Sequence, residues 1–156
     1  MFAAAAADRN TSLAIDRIAH CIRLVRRLDA APAEIFEAWT QPEQVSCWWD
    51  PAGLKLAVCA IDLRPGGAFT FVAQGRPDMP FAGIYRDIVP VERLTFEAMG
   101  ALGRVLIAED GASTRLTVEI QCRSAEHLDQ FLQMGVDQGT AHTLDNLAAY
   151  ISAQAR

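Results

Sequence analysis

No stretch of this chain stays apolar for the roughly 20 residues that a bilayer crossing needs, because Arg, Asp, Glu or Gln interrupts every candidate. A membrane span is therefore not expected. Basic charge is also scarce: the net charge is −5 with no basic stripe to neutralise a run of phosphates, which argues against nucleic acid as a partner. The four cysteines Cys21, Cys47, Cys59 and Cys122 lack C-x-x-C spacing. They read as small core hydrophobes rather than as a disulfide framework or metal ligands. The histidines His20, His127 and His142 fall in no H-E-x-x-H pattern, so no metal and no cofactor is expected. Spacing shows no Ser-His-Asp order, paired catalytic carboxylates or phosphate-cradling loop, so no catalytic residue is assigned and the chain reads as a binding protein sooner than an enzyme. Met1 to Ala7 lacks a positively charged start and runs into Asp8-Arg9-Asn10, which does not make a secretory signal. A soluble, cytoplasmic protein is expected.

What the chain does have is ordinary globular composition, 51% hydrophobic and 21% charged over 156 residues, with no repeat and no linker long enough to divide domains. Residues 1–16 read as a poorly ordered N-terminal extension and residues 17–156 as one domain. Ile18, Ile22, Leu24 and Leu28 alternate with polar residues as in a half-buried strand, with Arg26 facing inward. Pro32 and Pro42 each open a short helix, the second stopping near Trp48-Trp49 before Pro51 and Gly53. Six further strands follow, over Lys55 to Leu63, Ala68 to Ala73, Phe81 to Val89, Arg93 to Met99, Arg104 to Glu109 and Thr114 to Cys122, with turns too short for parallel crossovers. From Ser124 to about Ala153 no proline appears and the spacing turns helical. Leu128, Phe131, Leu132, Gly135 and Gly139 share one face. Two glycines there, each costing about 1 kcal/mol of helix propensity, suggest that a strand or a ligand comes close. The fold class is α+β: a twisted antiparallel sheet of seven strands wrapped around one long C-terminal helix, with two short helices after the first strand.

The string Ala31-Pro32-Ala33-Glu34-Ile35-Phe36-Glu37-Ala38-Trp39-Thr40-Gln41-Pro42-Glu43, followed by Trp48-Trp49, Asp62-Leu63-Arg64-Pro65-Gly66-Gly67, Gly83-Ile84-Tyr85-Arg86-Asp87-Ile88 and Pro90-Val91-Glu92-Arg93-Leu94, resembles the bacterial stand-alone members of the heat-shock-protein ATPase activator family. That family lies in the START-like, birch-pollen-allergen-like (SRPBCC) superfamily. The resemblance covers about Ile22 to Ile151. It implies a helix-grip fold with a hydrophobic cavity between sheet and last helix. Members commonly carry Gly-Trp in that helix, whereas here Gly139 precedes Thr140.

On this footing the expected partner is an apolar or aromatic small molecule. Phe36, Trp48, Phe69, Phe71, Phe81, Tyr85 and Phe96 are the candidate walls, and Gly135, Gly139 and His142 the helix side of the site. Trp48-Trp49 reads either as a ligand gate or as a core seal, and His142 either as a polar orienting group or general base or as a partly buried helix histidine. Gly66-Gly67 reads as a hairpin turn, with Asp62 and Arg64 pairing across it. The alternative partner, by resemblance alone, is a chaperone bound through the surface. A small hydrolase or cyclase with His142 as base is the third reading, and a homodimer is left open.

Overall fold

The computed structural model describes residues 11–154. Chain order is β1 (Thr11–Asp16), β2 (Cys21–Leu28), α1 (Pro32–Thr40), α2 (Pro42–Trp48), β3 (Val58–Ile61), β4 (Ala68–Val72), β5 (Phe81–Val89), β6 (Arg93–Ala98), β7 (Ala101–Asp110), β8 (Ser113–Gln121), α3 (Ala125–Gln133) and α4 (Val136–Gln154). All strand pairs are antiparallel, in one sheet of order β1-β2-β8-β7-β6-β5-β4-β3. Short hairpins connect β3 through β8 as a meander. The long excursion through α1 and α2 carries the chain from β2 to the far edge, so the sheet needs no parallel crossover.

The strand alternation decides what the helices cover. On β8, Leu116 and Val118 turn inward while Arg115 stays exposed, and register aligns them with Arg26 and Leu24 of β2 and with Ile107 and Val105 of β7. Leu144 and Leu147 of α4 close over this face, and Ile22, Leu24, Val105, Leu116, Leu144 and Leu147 are all fully buried. Burial of each such side chain is worth about 1.5–3 kcal/mol relative to exposure. The inward Arg26 is held by the Asp145 carboxylate of α4 at 2.5 Å and by the Thr11 hydroxyl of β1 at 2.7 Å, so one charged side chain ties two strands to the helix.

Two features depart from the sequence reading. The extension expected over residues 1–16 is a strand over its last six residues: β1 pairs along β2 with Leu13 opposite Leu24 and Ile15 opposite Ile22. It is made possible by a turn in which the Asp16 carboxylate accepts the Ile18 and Ala19 N–H groups at 3.0 and 2.9 Å. The sheet therefore has eight strands rather than seven, β2 begins at Cys21 rather than Ile18, and residues 1–10 lie outside the described ones.

The second departure is in the long helix, which is two. Gly135 has φ of +76°, the left-handed conformation that ends α3 in the manner of a glycine C-cap, and α4 starts afresh at Val136. Ser124 caps α3 as its position suggests, accepting the His127 N–H at 3.1 Å. Asp62 and Arg64 pair at 2.9 Å beside the β3–β4 turn. The four cysteines are free, and among the described residues no cluster could hold a metal and no helix is long and apolar enough to cross a membrane.

Candidate functional site

The inner face of β4, β5 and β6 is paved with rings because these strands place aromatics at alternate positions and register sets them side by side. Phe71 lies opposite Phe81 and Tyr85 opposite Phe96. Between them two glycines remove the side chains that would lift the rings off the sheet. A Cβ on Gly83 would come within 2.6 Å of the Phe69 ring, and one on Gly103 within 2.5 Å of the Phe96 ring. Phe69 lies tilted against Tyr85 at 5.0 Å and edge-on to Phe96 at 5.5 Å.

The first two helices add three tryptophans from above. Trp48 is fully buried and donates its indole N–H to the Ala38 carbonyl at 3.0 Å, so it seals the core. Trp49, next in the chain, is half-buried and extends the aromatic surface, 5.0 Å from Phe71 and 5.2 Å from Phe81. Trp39 stands edge-on to Trp48 at 4.8 Å; it is only 7% exposed, and its indole N–H has no acceptor.

Between this aromatic surface and the C-terminal helices lies a pocket of about 280 Å³. Trp39, Trp49, Phe81 and Phe96 wall one side, Val118 and Ile120 of β8 the floor, and Phe131 of α3 with Gly139, Thr143 and Leu144 of α4 the other side. A second, much smaller space of about 20 Å³, the size of a single water molecule, shares the same four aromatics and is bordered also by Phe69, Phe71 and Tyr85. Met99 and Met134 line the pocket while remaining 50% and 62% exposed, which places them at its rim. Nothing lies within 4 Å of a Cβ built on Gly139, so on that face α4 is spaced from the sheet instead of packed on it.

Polar groups around the pocket are few and mostly committed. The Thr140 hydroxyl donates to the Val136 carbonyl at 2.7 Å, and the Thr143 hydroxyl lies 3.0 Å from the Gly139 and 3.1 Å from the Trp49 carbonyl. The Thr143 contact, with Asn146 donating to the Asp50 carbonyl at 2.9 Å, pins the end of α2 to α4 and so holds Trp49 in place. Tyr85 is 2% exposed, and burial pushes its phenol well above the ordinary range. Glu119 borders the pocket, but its carboxylate is bound by Arg23 and Arg104 from the neighbouring strands, both at 2.8 Å. Burial alone would raise its pKa; the hydrogen bonds and charges of Arg104 and Arg23 outweigh that and hold it below the ordinary carboxylate value. His127, behind Phe131, accepts the Arg123 N–H at Nδ1, which leaves Nε2 to donate to the Met99 carbonyl at 3.1 Å. Both ring nitrogens are occupied, Nδ1 by the backbone just ahead of α3 and Nε2 in tying α3 to the β6–β7 turn, so neither is free to move a proton.

The family model described as Activator of Hsp90 ATPase homolog 1-like protein matches residues 29–152. The chain belongs to this family. The match runs from just after β2 to near the end of α4, so β1 and β2 lie outside it, and the START-like assignment suggested by the motifs holds. Among solved structures, the chain is similar to Ms6760 from Mycobacterium smegmatis, with a TM-score of 0.81 and 24% identity over 92% of this chain and 98% of that one. It is similar also to NE0264 from Nitrosomonas europaea, with a TM-score of 0.78 and 21% identity over 86% and 95% of the two chains. CalU16 from Micromonospora echinospora follows at 0.65 and 25%, over 92% and 87%. At the identities of the first two the likeness is one of fold. No protein with a curated description matches the chain in sequence.

For this family member the sequence-based site residues fall into three groups. Phe81, Phe96 and Gly139 line the main pocket, while Phe69, Phe71 and Tyr85 line the small space beside it. Trp48 and the half-buried Phe36 belong to the packing of the two short helices and line neither. Gly135 marks the junction of α3 and α4, and neither there nor at Gly139 does a strand come close enough for a Cβ to strike. His142 is exposed and outside the walls. The sequence reading places it at the edge of the apolar stripe that drifts toward Thr143, Leu147 and Ile151; α4 buries Thr143, Leu144, Leu147 and Ile151, and that face turns away from position 142. The general-base reading of His142 therefore goes. Sequence reasoning read Trp39 only as part of the first short helix and Thr143 only as part of the buried stripe of the last one, and it missed Met134, for which no local signal existed.

Proposed function

We propose that the pocket between the sheet and α4 binds an apolar or aromatic small molecule. The observation that carries this reading is the 280 Å³ pocket walled by Trp39, Trp49, Phe81, Phe96 and Phe131. Its size is near the lower end of the roughly 300–1,000 Å³ of small-molecule sites, and its largely apolar walls with a few polar groups match their usual composition. Close packing is the rule in protein interiors, so space of this size beneath Gly139 is a feature to be explained. The test is native mass spectrometry with a thermal-shift screen of lipids and aromatic compounds. Binding should appear as a mass increment and a raised melting temperature, both abolished in Gly139→Leu, whose side chain fills the pocket. If no compound binds the folded wild-type protein, the reading is wrong.

The family description favours a second reading, a surface contact with an Hsp90-type chaperone that raises its ATPase rate. The chaperone's ATPase rate with and without this protein tests it, and an unchanged rate refutes it. Gly139→Leu separates the two readings, since it blocks the pocket and leaves the outer surface as it is.

A further inference from the structure

Given the ligand-binding reading above, the mouth of the pocket narrows what enters it. Met99 and Met134 both line the pocket and are both exposed. They stand near the two ends of α3: His127, in its first turn, holds the Met99 carbonyl at 3.1 Å, and Met134 is the residue on which the helix ends. The helical rise between positions 127 and 134 is about 10 Å, and Phe131 lines the pocket between them. The backbone is tied at both methionines, by the His127 contact and by the Met134 N–H, which donates to the Gln130 carbonyl at 3.0 Å. Adjustment at the mouth therefore falls to two long, unbranched thioether side chains, which adapt to the apolar surface they meet and make favourable sulfur contacts with aromatic rings.

The interior offers no charge to a ligand. None of the described residues lining it is Lys, Arg or His. Glu119 lies between Val118 and Ile120, whose side chains form the floor, so strand alternation turns its carboxylate to the opposite face of the sheet, where Arg23 and Arg104 hold it. A carboxylate or phosphate drawn inside would lose its hydration with no cation to meet it, at a cost that apolar contact does not return.

We infer that the ligand is a neutral aromatic molecule and that Met99 and Met134 close over it as a clasp, laying their thioethers against its rings while Trp49, Phe81 and Phe96 hold it from within. The two exposed methionine side chains are then covered by the bound molecule.

Three probes test this: 2-naphthalenemethanol, neutral and aromatic; decahydro-2-naphthalenemethanol, its alicyclic counterpart; and 2-naphthoate, an anion. Binding to the full chain with isotope-labelled methionine methyls is followed by NMR, each methyl being assigned by its loss in Met79→Leu, Met99→Asn or Met134→Ala. Asn is chosen at position 99 because it tolerates the positive φ found there. At saturation the naphthalene alcohol should move the Met99 and Met134 methyls upfield, as a ring current does to a methyl lying over an aromatic face. It should leave in place the methyl of Met79, which is also exposed but borders neither space. Met99→Asn and Met134→Ala should each weaken its binding by about two- to tenfold, and Met79→Leu should not. The alicyclic alcohol should bind less tightly than the naphthalene alcohol, and naphthoate at least about tenfold less tightly. A shift confined to one of the two methyls, or to neither, in protein saturated with the naphthalene alcohol overturns the inference and leaves the pocket reading standing. Unchanged affinity in both mouth variants does the same, as does binding of naphthoate or of the alicyclic alcohol as tight as that of the naphthalene alcohol. Failure of all three probes to bind removes the pocket reading itself, and the inference with it. The wild-type shifts and affinities decide even if a mouth variant does not fold.

Discussion

Replacing Gly139 and Gly135 by Ala, one at a time, tests the geometry under α4 directly, because the two glycines are four residues apart and the structure requires opposite outcomes. At Gly139 the backbone is helical, its N–H donates to the Gly135 carbonyl at 2.8 Å, and an added Cβ meets nothing within 4 Å. The methyl therefore improves helix propensity without overpacking, which is worth up to about 1 kcal/mol. At Gly135 space is equally open, but φ is +76°, and holding an L-residue there costs about 1–2 kcal/mol. Thermal or urea unfolding of the two variants should thus place them about 2–3 kcal/mol apart on either side of the wild type, each kcal/mol moving the melting temperature by roughly 2–4 °C in a chain of this length. Gly139→Ala should also weaken uptake of any pocket ligand, since the methyl occupies space bordering the cavity. A clear loss of stability in Gly139→Ala would show that strand or side chain packs on α4 there and that the pocket is not as described. A neutral Gly135→Ala would show instead that the two helices are continuous.

Gly103→Ala places a Cβ within 2.5 Å of the Phe96 ring, so chemical unfolding should show a loss of about 1–3 kcal/mol from overpacking. Asp145→Ala leaves the inward Arg26 without its carboxylate and should cost roughly 1.5–3 kcal/mol in the same assay; a change near zero would mean that the pair adds nothing to the docking of α4. Glu119 has a folded-state pKa below its ordinary value of 4.5, so the stability it contributes is present above that value and lost as pH falls below it. Unfolding measured from pH 6 down to about pH 3 should accordingly lose less stability in Glu119→Gln than in the wild type, and identical slopes would refute the assignment. Trp48→Ala removes a fully buried ring and its hydrogen bond to Ala38, and should cost about 3–5 kcal/mol.

Local pattern determined most of the architecture. Alternation in residues 114–122, the prolines at positions 32 and 42, and the turn residues between strands are short-range signals, and β5, α1 and α2 follow them closely. Ser124 capped its helix for the same reason, since an N-cap is decided by four consecutive residues. β1 was hidden because a six-residue edge strand depends on pairing along β2 more than on its own composition. The helix break was hidden because a glycine at position 135 is compatible with either a helical or a left-handed φ, and only the packing of α3 and α4 on the sheet selects one. The candidate site divides along the same line. Phe69, Phe71, Phe81, Tyr85 and Phe96 were legible because strand period puts them on one face. Which tryptophan seals the core and which faces the pocket was not. Trp48 and Trp49 are adjacent in the chain and alike in chemistry, and their difference lies in which one reaches the Ala38 carbonyl and which one meets the sheet. The exposure of His142 and the orphaned N–H of Trp39 were likewise settled by tertiary contacts, because helix phase and hydrogen-bond satisfaction depend on neighbours far away in sequence.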